Sequence, residues 1–251
     1  MRFSEFITVA AFFASLVRCG DSVKVPLDEN QAKVALYSYN IAGFFRKNDF
    51  GSQKAKDFQS KVASDIKQDD SKDAWMYIFA YQEIWNAGEV IQEQGSIVAD
   101  WFRKDLKQKI YEFTLGVMKE AFAEKKDRIV CDYVRHETLM TVACRFFEGK
   151  SKPKEAWIVE AFKYGWTEHG GTTTRNIFGF KGLLAVSIAL GDGKNLIVIN
   201  VHLSSKKLKD RWKGIRIIKD LLKQYLYSTD HSILIVGDFN ARSFSLVSPS
   251  I

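Results

Sequence analysis

The chain has 251 residues, 46% hydrophobic and 27% charged, with 3 Pro, 16 Gly and 3 Cys. That composition excludes a collagen-like chain, a Pro/Gly-rich disordered chain and a disulfide scaffold, and no apolar run reaches the roughly 18 residues of a membrane span. Lysine and arginine outnumber aspartate and glutamate by 37 to 30, a net charge of +7, which favours an anionic partner without choosing among phosphate, nucleic acid and lipid headgroup.

The chain opens on Met1-Arg2-Phe3 and runs apolar over residues 6–17, interrupted by Thr8 and Ser15. One basic residue ahead of a short apolar stretch predicts a secretory signal peptide over residues 1–19, with Val17-Arg18-Cys19 as the cleavage site. A buried amphipathic helix is the alternative. Removal of the segment implies a secreted or secretory-lumen protein with no transmembrane segment. It leaves Cys131 and Cys144, which either pair in that oxidising setting or stay as buried thiols.

Residues 34–39 predict a strand ending at Asn40. Phe58, Val62 and Ile66 recur every four residues, one face of a helix. Residues 75–81 are apolar throughout, so this strand is covered on both faces. Ile97, Trp101, Phe102, Leu106 and Ile110 mark a second helix, and residues 139–147 and 156–162 read as strands. Residues 183–190 and 196–203 flank Gly191-Asp192-Gly193, a β-hairpin signal. Leu208, Trp212, Ile215, Ile218, Leu222 and Tyr225 give a third helix, expected to dock on a sheet through Trp212 and Ile215. The same segment carries Lys206, Lys207, Lys209, Arg211, Lys213, Arg216, Lys219 and Lys223 against Asp210 and Asp220, most of the chain's excess charge. That is a solvated face or a patch that gathers anionic substrate or membrane. Residues 233–236 form a last buried strand. No repeat or linker divides residues 33–251, which read as one α/β domain with a large antiparallel component.

Four of these strands end in polar residues: Ser38-Tyr39-Asn40, Gln82-Glu83, Asn200-Val201-His202 and Gly237-Asp238-Phe239-Asn240. Side chains alternate along a strand, so Asn200 and His202 share a face. A carboxylate at a buried strand end is costly unless paired or bound to a metal. If the ends converge, they assemble carboxylates, carboxamides and an imidazole, a hard donor set that suits Mg²⁺.

Tyr39-Asn40, Tyr81-Gln82-Glu83, Asn200-Val201-His202-Leu203 and Gly237-Asp238-Phe239-Asn240 together resemble, in order and spacing, the successive motifs of the endonuclease/exonuclease/phosphatase superfamily of metal-dependent phosphoesterases. The resemblance implies a four-layer α/β/β/α sandwich. It also implies that Glu83 binds Mg²⁺ with support from Asn40, and that Asp238 orients and deprotonates the attacking water, with Asn240 fixing its geometry. Asn200 and His202 would contact the scissile phosphate. A narrower likeness, Thr172-Thr173-Thr174-Arg175 through Gly179-Phe180-Lys181-Gly182, is similar to the inositol polyphosphate 5-phosphatase branch. There an Asn stands where this chain has Phe180, and Lys181 would reach a phosphate. The substrates implied are inositol phosphates, phospholipid headgroups or nucleic acid, with an anionic membrane surface as a further partner.

The family pattern continues to a late Asp-His pair, whereas residues 241–251 contain neither Asp nor His. On that pattern the sandwich is incomplete at its C-terminus, and the chain is a phosphoesterase weakened or inactive for want of the pair. The alternatives are a non-catalytic phosphate-binding pseudoenzyme or an incomplete gene product. His136 and His231 each precede a strand and are expected at the far end from Asp238; His169 sits in a Gly-rich loop that can approach the site.

Overall fold

The computed structural model describes residues 34–41, 50–68, 74–84, 96–147, 157–167, 180–191, 193–204, 207–225 and 231–240. The expected signal segment and His169 lie outside them. Among these residues the order is β1 Val34–Asn40, α1 Gln53–Gln68, β2 Met76–Gln82, α2 Ser96–Ala121, β3 Ile129–His136, β4 Leu139–Phe146, β5 Ile158–Thr167, β6 Phe180–Gly191, β7 Lys194–His202, α3 Leu208–Tyr225 and β8 His231–Asp238.

Two four-stranded sheets result, ordered β1-β2-β4-β3 and β5-β6-β7-β8. Each holds one parallel pair, β1 with β2 and β7 with β8, and is otherwise antiparallel. Alternation along the strands sorts the side chains into layers. In β2, Met76 and Ile78 meet Leu184, Val186 and Val198 of the other sheet. Tyr77, Phe79 and Tyr81 turn outward to Val62 and Ile66 of α1 and to Ile110 and Val117 of α2. In β7, Leu196 and Val198 point inward, while Ile197, Ile199 and Val201 pack on Ile218 and Leu221 of α3. The layers therefore run helix, sheet, sheet, helix, as the motifs implied. Ser52 starts α1 by accepting the Ala55 N–H at 3.2 Å, a serine N-cap.

Three local expectations change. First, β3 has no counterpart among the predicted strands. Asp132 and Arg135 break its apolar alternation, and pairing with β4 rather than pattern defines it. That pairing sets Cys131 directly opposite Cys144, with Cα atoms 4.1 Å apart, and the two form a disulfide. Second, β4 runs antiparallel to β2, so the β3–β4 turn lies at the C-terminal end of β2, where Ile84 N–H donates to Thr138 O at 3.1 Å. His136 thus sits at the same end as Glu83, not the opposite one, while His231 opens β8 at the far end. Third, Trp212 does not dock on the sheet. It is 54% exposed, because the buried face of α3 is carried by Gly214, Ile218 and Leu221.

Candidate functional site

The inter-sheet core runs out at one end of the sandwich, and the inward rows continue in polar residues. Leu36 gives way to Ser38 and Asn40, Ile78 to Gln82, Val198 to Asn200 and His202, and Val236 to Asp238. Parallel pairing brings the ends level, Asn40 opposite Gln82 and His202 opposite Asp238. Both parallel pairs thus finish on the same rim.

Backbone conformation then aims individual groups. Glu83 leaves the strand in the left-handed region (φ 51°), and so does Asn240 (φ 50°). A non-glycine residue held there costs about 1–3 kcal/mol, and such strain concentrates where the chain must present a group. Gly237, just ahead of Asp238, has φ 131°. A Cβ there would lie 2.1 Å from the Val201 carbonyl oxygen, so only glycine lets β8 approach β7 this closely.

The cluster closes around Glu83 Oε1. His202 Nε2 lies 3.0 Å from it and Lys181 Nζ 3.5 Å. Lys181 Nζ is also 2.6 Å from His202 Nε2. Gly182, the register partner of His202, has no side chain to separate them. A protonated Nε2 serves Glu83, whereas a bare Nε2 accepts from the Lys181 ammonium, and the two arrangements exclude each other. The hydrogen bond from His202 and the charges of His202 and Lys181 outweigh burial and hold the Glu83 carboxyl at a pKa of about 2. Among the described residues its second oxygen, Oε2, has no polar partner. Asp238 stands beside this group, Oδ2 4.0 Å from His202 Nε2. Asn40 Nδ2 donates to Asp238 Oδ2 at 2.8 Å, and the Asn240 backbone N–H donates to Oδ1 at 2.8 Å. Asn240 therefore fixes Asp238 through its main chain. Its carboxamide turns away to donate to Leu203 O at 2.7 Å, and Arg211 Nη1 donates to Asn240 O at 2.6 Å.

Asn200 departs from its expected place at the phosphate. It is fully buried, and its amide is spent between the sheets. Oδ1 accepts from Gln82 Nε2 at 2.8 Å, and Nδ2 donates to Tyr81 O and Met140 O, each at 3.1 Å. Gln82, itself buried, also donates to Ala80 O at 3.0 Å. This pair is a polar clamp beneath the cluster. We expect Asn200→Ala to lower unfolding free energy by about 2–4 kcal/mol in urea titrations, because it strands a buried amide and two carbonyls. Motif position flags Gln82 but not its role, and the sequence marks Arg211 only as one cation of the basic helix, not as the partner of Asn240.

The depressed Glu83 pKa carries a stability statement. The folded value, about 2, lies below the unfolded value of 4.5. Its contribution is therefore complete above pH 4.5 and disappears as pH falls towards 2. Because a third of the side chain is exposed, solvent screening reduces the gain to about 1–2 kcal/mol. With chelator present, the wild type should lose that much more stability across this window than Glu83→Gln. Parallel curves would show that Glu83 is not coupled to His202 and Lys181.

Whether the cluster fits a divalent cation is decided by its donors. Among the described residues, no three His, Cys, Asp or Glu side chains form an all-protein cage. Mg²⁺ does not need one, since it is held by one or two carboxylates and completes its shell with water and substrate phosphate. An ionised, part-exposed Glu83 whose Oε2 has no polar partner among the described residues meets that requirement.

A four-layer α/β sandwich with one acidic, imidazole and ammonium cluster on the shared rim of its two parallel strand pairs is the class this fold and site define. The chain belongs to the Endonuclease/Exonuclease/phosphatase family 2, whose profile matches residues 37–247. No curated protein sequence matches it. Among solved structures it is similar to TDP2 of D. rerio complexed with single strand DNA product, at 14% identity, TM-score 0.40, covering 83% of this chain and 61% of that one. It is also similar to the Bacteroides thetaiotaomicron mannosyl-6-phosphatase Bt3783, at 10% identity and TM-score 0.42, covering 82% and 64%. A third is a β-hairpin deletion mutant of beta toxin from Staphylococcus aureus, at 16% identity and TM-score 0.38, covering 82% and 66%. The chain thus spans about two thirds of the length of these structures.

Proposed function

We propose that the chain is a Mg²⁺-dependent phosphoester hydrolase whose reacting groups are Glu83, Lys181, His202 and Asp238. The observation that carries this reading is the Glu83 carboxylate, kept ionised by His202 and Lys181 and with its second oxygen unpartnered among the described residues, beside an Asp238 clamped on both oxygens. Glu83, with Asn40 on the same strand-end rim, would hold the metal, which when bound would supply charge neutralisation on the phosphoryl oxygens. Lys181 Nζ supplies hydrogen-bond donors to those oxygens, and an ammonium engaged by phosphate leaves the His202 Nε2–H to Glu83, which resolves the competition between them. Asp238 is fixed by Asn40 Nδ2 and the Asn240 N–H and takes the proton of the attacking water. Asn200 supports the floor rather than the substrate.

The 5-phosphatase-like segment around Lys181 supports an inositol phosphate or a lipid headgroup as substrate, with nucleic acid as the other class. The Cys131–Cys144 disulfide supports an oxidising compartment and hence a secreted protein. One observation favours a second reading, a phosphate-binding protein without turnover: Lys181 already compensates Glu83, so anion capture needs no cation.

Calorimetric titration separates the two. On the hydrolase reading, Mg²⁺ binds and raises the melting temperature modestly by mass action, and Glu83→Gln removes both effects. Inorganic phosphate binding that is strong without Mg²⁺ and indifferent to Glu83→Gln favours the second reading.

A further inference from the structure

We propose that the first two turns of α3 are a docking surface for an anionic phospholipid bilayer, set on the rim of the candidate site. The large hydrophobics exposed among the described residues are Val159, Leu208 and Trp212, at 48%, 61% and 54%. Leu208 and Trp212 are four apart on one helix, so their side chains are neighbours on its surface. They continue the apolar stripe of Ile215 and Ile218 beyond the sheet that the rest of α3 covers. The packed residues of the helix begin at Gly214 and Ile215, and the apolar residues ahead of them, Leu208 and Trp212, are exposed.

Cations surround that turn. Between 207 and 216 stand Lys207, Lys209, Arg211, Lys213 and Arg216 against Asp210 alone. Lys209, Lys213 and Arg216 line an open depression with Trp212 and the single acidic residue Asp210. They form no ion pair among the described residues, and the Lys213 ammonium lies 5.7 Å from the centre of the Tyr164 ring on β5. A helix whose exposed apolar residues, Trp among them, are ringed by lysine and arginine has the chemistry of a bilayer interface. The apolar chains enter the acyl boundary and the cations meet anionic headgroups. Nucleic acid fits less well. It offers phosphates to the lysines and a base to stack on Trp212, but nothing to Leu208, which has neither a π-face nor a hydrogen bond to give.

The position of the patch gives it meaning. The N-terminus of α3 follows β7 across residues 203–207, at the strand end that carries His202, and Arg211 Nη1 holds the Asn240 carbonyl at 2.6 Å. A bilayer seated on Leu208 and Trp212 therefore lies beside the loop that presents Asp238. The surface is tested by binding alone, so its failure leaves the hydrolase reading standing, and the reverse also holds.

The experiment is co-sedimentation of the full chain with vesicles of phosphatidylcholine alone and of phosphatidylcholine with phosphatidylserine. The wild type should bind the mixed vesicles and not the neutral ones. Leu208→Ser with Trp212→Ser should weaken binding about tenfold or more, given the apolar area withdrawn from the bilayer. Lys209→Glu, Lys213→Glu and Arg216→Glu together should abolish it, and wild-type binding should weaken as salt rises. Trp212→Phe should retain most of it. All these side chains are exposed or at the rim, so melting temperatures should match the wild type. No binding to the mixed vesicles, or equal binding by the Leu208/Trp212 variant, overturns the proposal. Tighter binding to a single-stranded oligonucleotide than to vesicles, with Leu208→Ser neutral, also overturns it and identifies a nucleic-acid surface.

Discussion

Gly237→Ala should cost about 3–5 kcal/mol of unfolding free energy, a large share of the roughly 5–15 kcal/mol that a domain holds. Two causes add. The residue sits at φ 131°, a region that a side chain rarely adopts. Its Cβ would also meet only backbone: the Val201 oxygen at 2.1 Å, nitrogen at 2.7 Å and carbonyl carbon at 2.9 Å. Val201 is the register partner of Gly237, so neither strand can move aside without breaking the β7–β8 ladder that levels His202 with Asp238. Urea unfolding gives the stability loss directly. Because the strain falls on the bond leading into Asp238, any folded fraction should also have lost activity. A variant as stable as the parent would mean that β8 does not lie against β7 as described.

The second large effect is chemical. Asp238→Asn keeps the size of the side chain but only one of its two acceptors, so either the Asn40 amide or the Asn240 N–H loses its partner, and it removes the proposed base and its charge. General-base removal typically costs about 10²–10⁴-fold in rate. We expect kcat to fall by that amount with KM little changed, since neither Lys181 nor His202 is touched, while the lost clamp bond lowers stability by only about 1 kcal/mol. A matched fall in stability would assign Asp238 a structural role instead. Mg²⁺ affinity should change far less than in Glu83→Gln, because Asp238 is held by Asn40 and Asn240 rather than left open to a cation.

Much of this arrangement is legible in the sequence, because polar residues interrupting apolar strands at period two must lie on one face. Asn40, Gln82, Asn200, His202 and Asp238 share the inner face for that reason, and pairing of parallel strands levels their ends. Other features depend on tertiary context. Alternation points Glu83 outward, and only the left-handed turn at its own backbone brings it to His202. Face and depth are separate questions for Asn200. The pattern gives its direction, but the opposing sheet, through Gln82, Tyr81 and Met140, decides that it is clamped and not open. For α3, periodicity identifies the apolar stripe but not where the sheet beneath it stops, so Leu208 and Trp212 read as core and stand in solvent. For His136, the direction of β4 decides the end of the sandwich it occupies, and an isolated apolar run has no direction. Lys181 is carried by a resemblance in sequence. Its contact with His202 depends on Gly182 lying opposite the imidazole, a matter of strand register.

The central claim is that Glu83, Lys181, His202 and Asp238 form one metal-assisted phosphoester-cleaving centre. Its most direct test is the initial rate of bis-p-nitrophenyl phosphate and p-nitrophenyl phosphate hydrolysis by the full chain, in Mg²⁺ and in chelator, for the wild type and for Glu83→Gln. Turnover of at least one ester is expected in Mg²⁺, with its loss in chelator and a comparable loss in Glu83→Gln at full Mg²⁺. A wild-type rate equal to the uncatalysed background for both esters, or a rate that Glu83→Gln leaves intact, would contradict it.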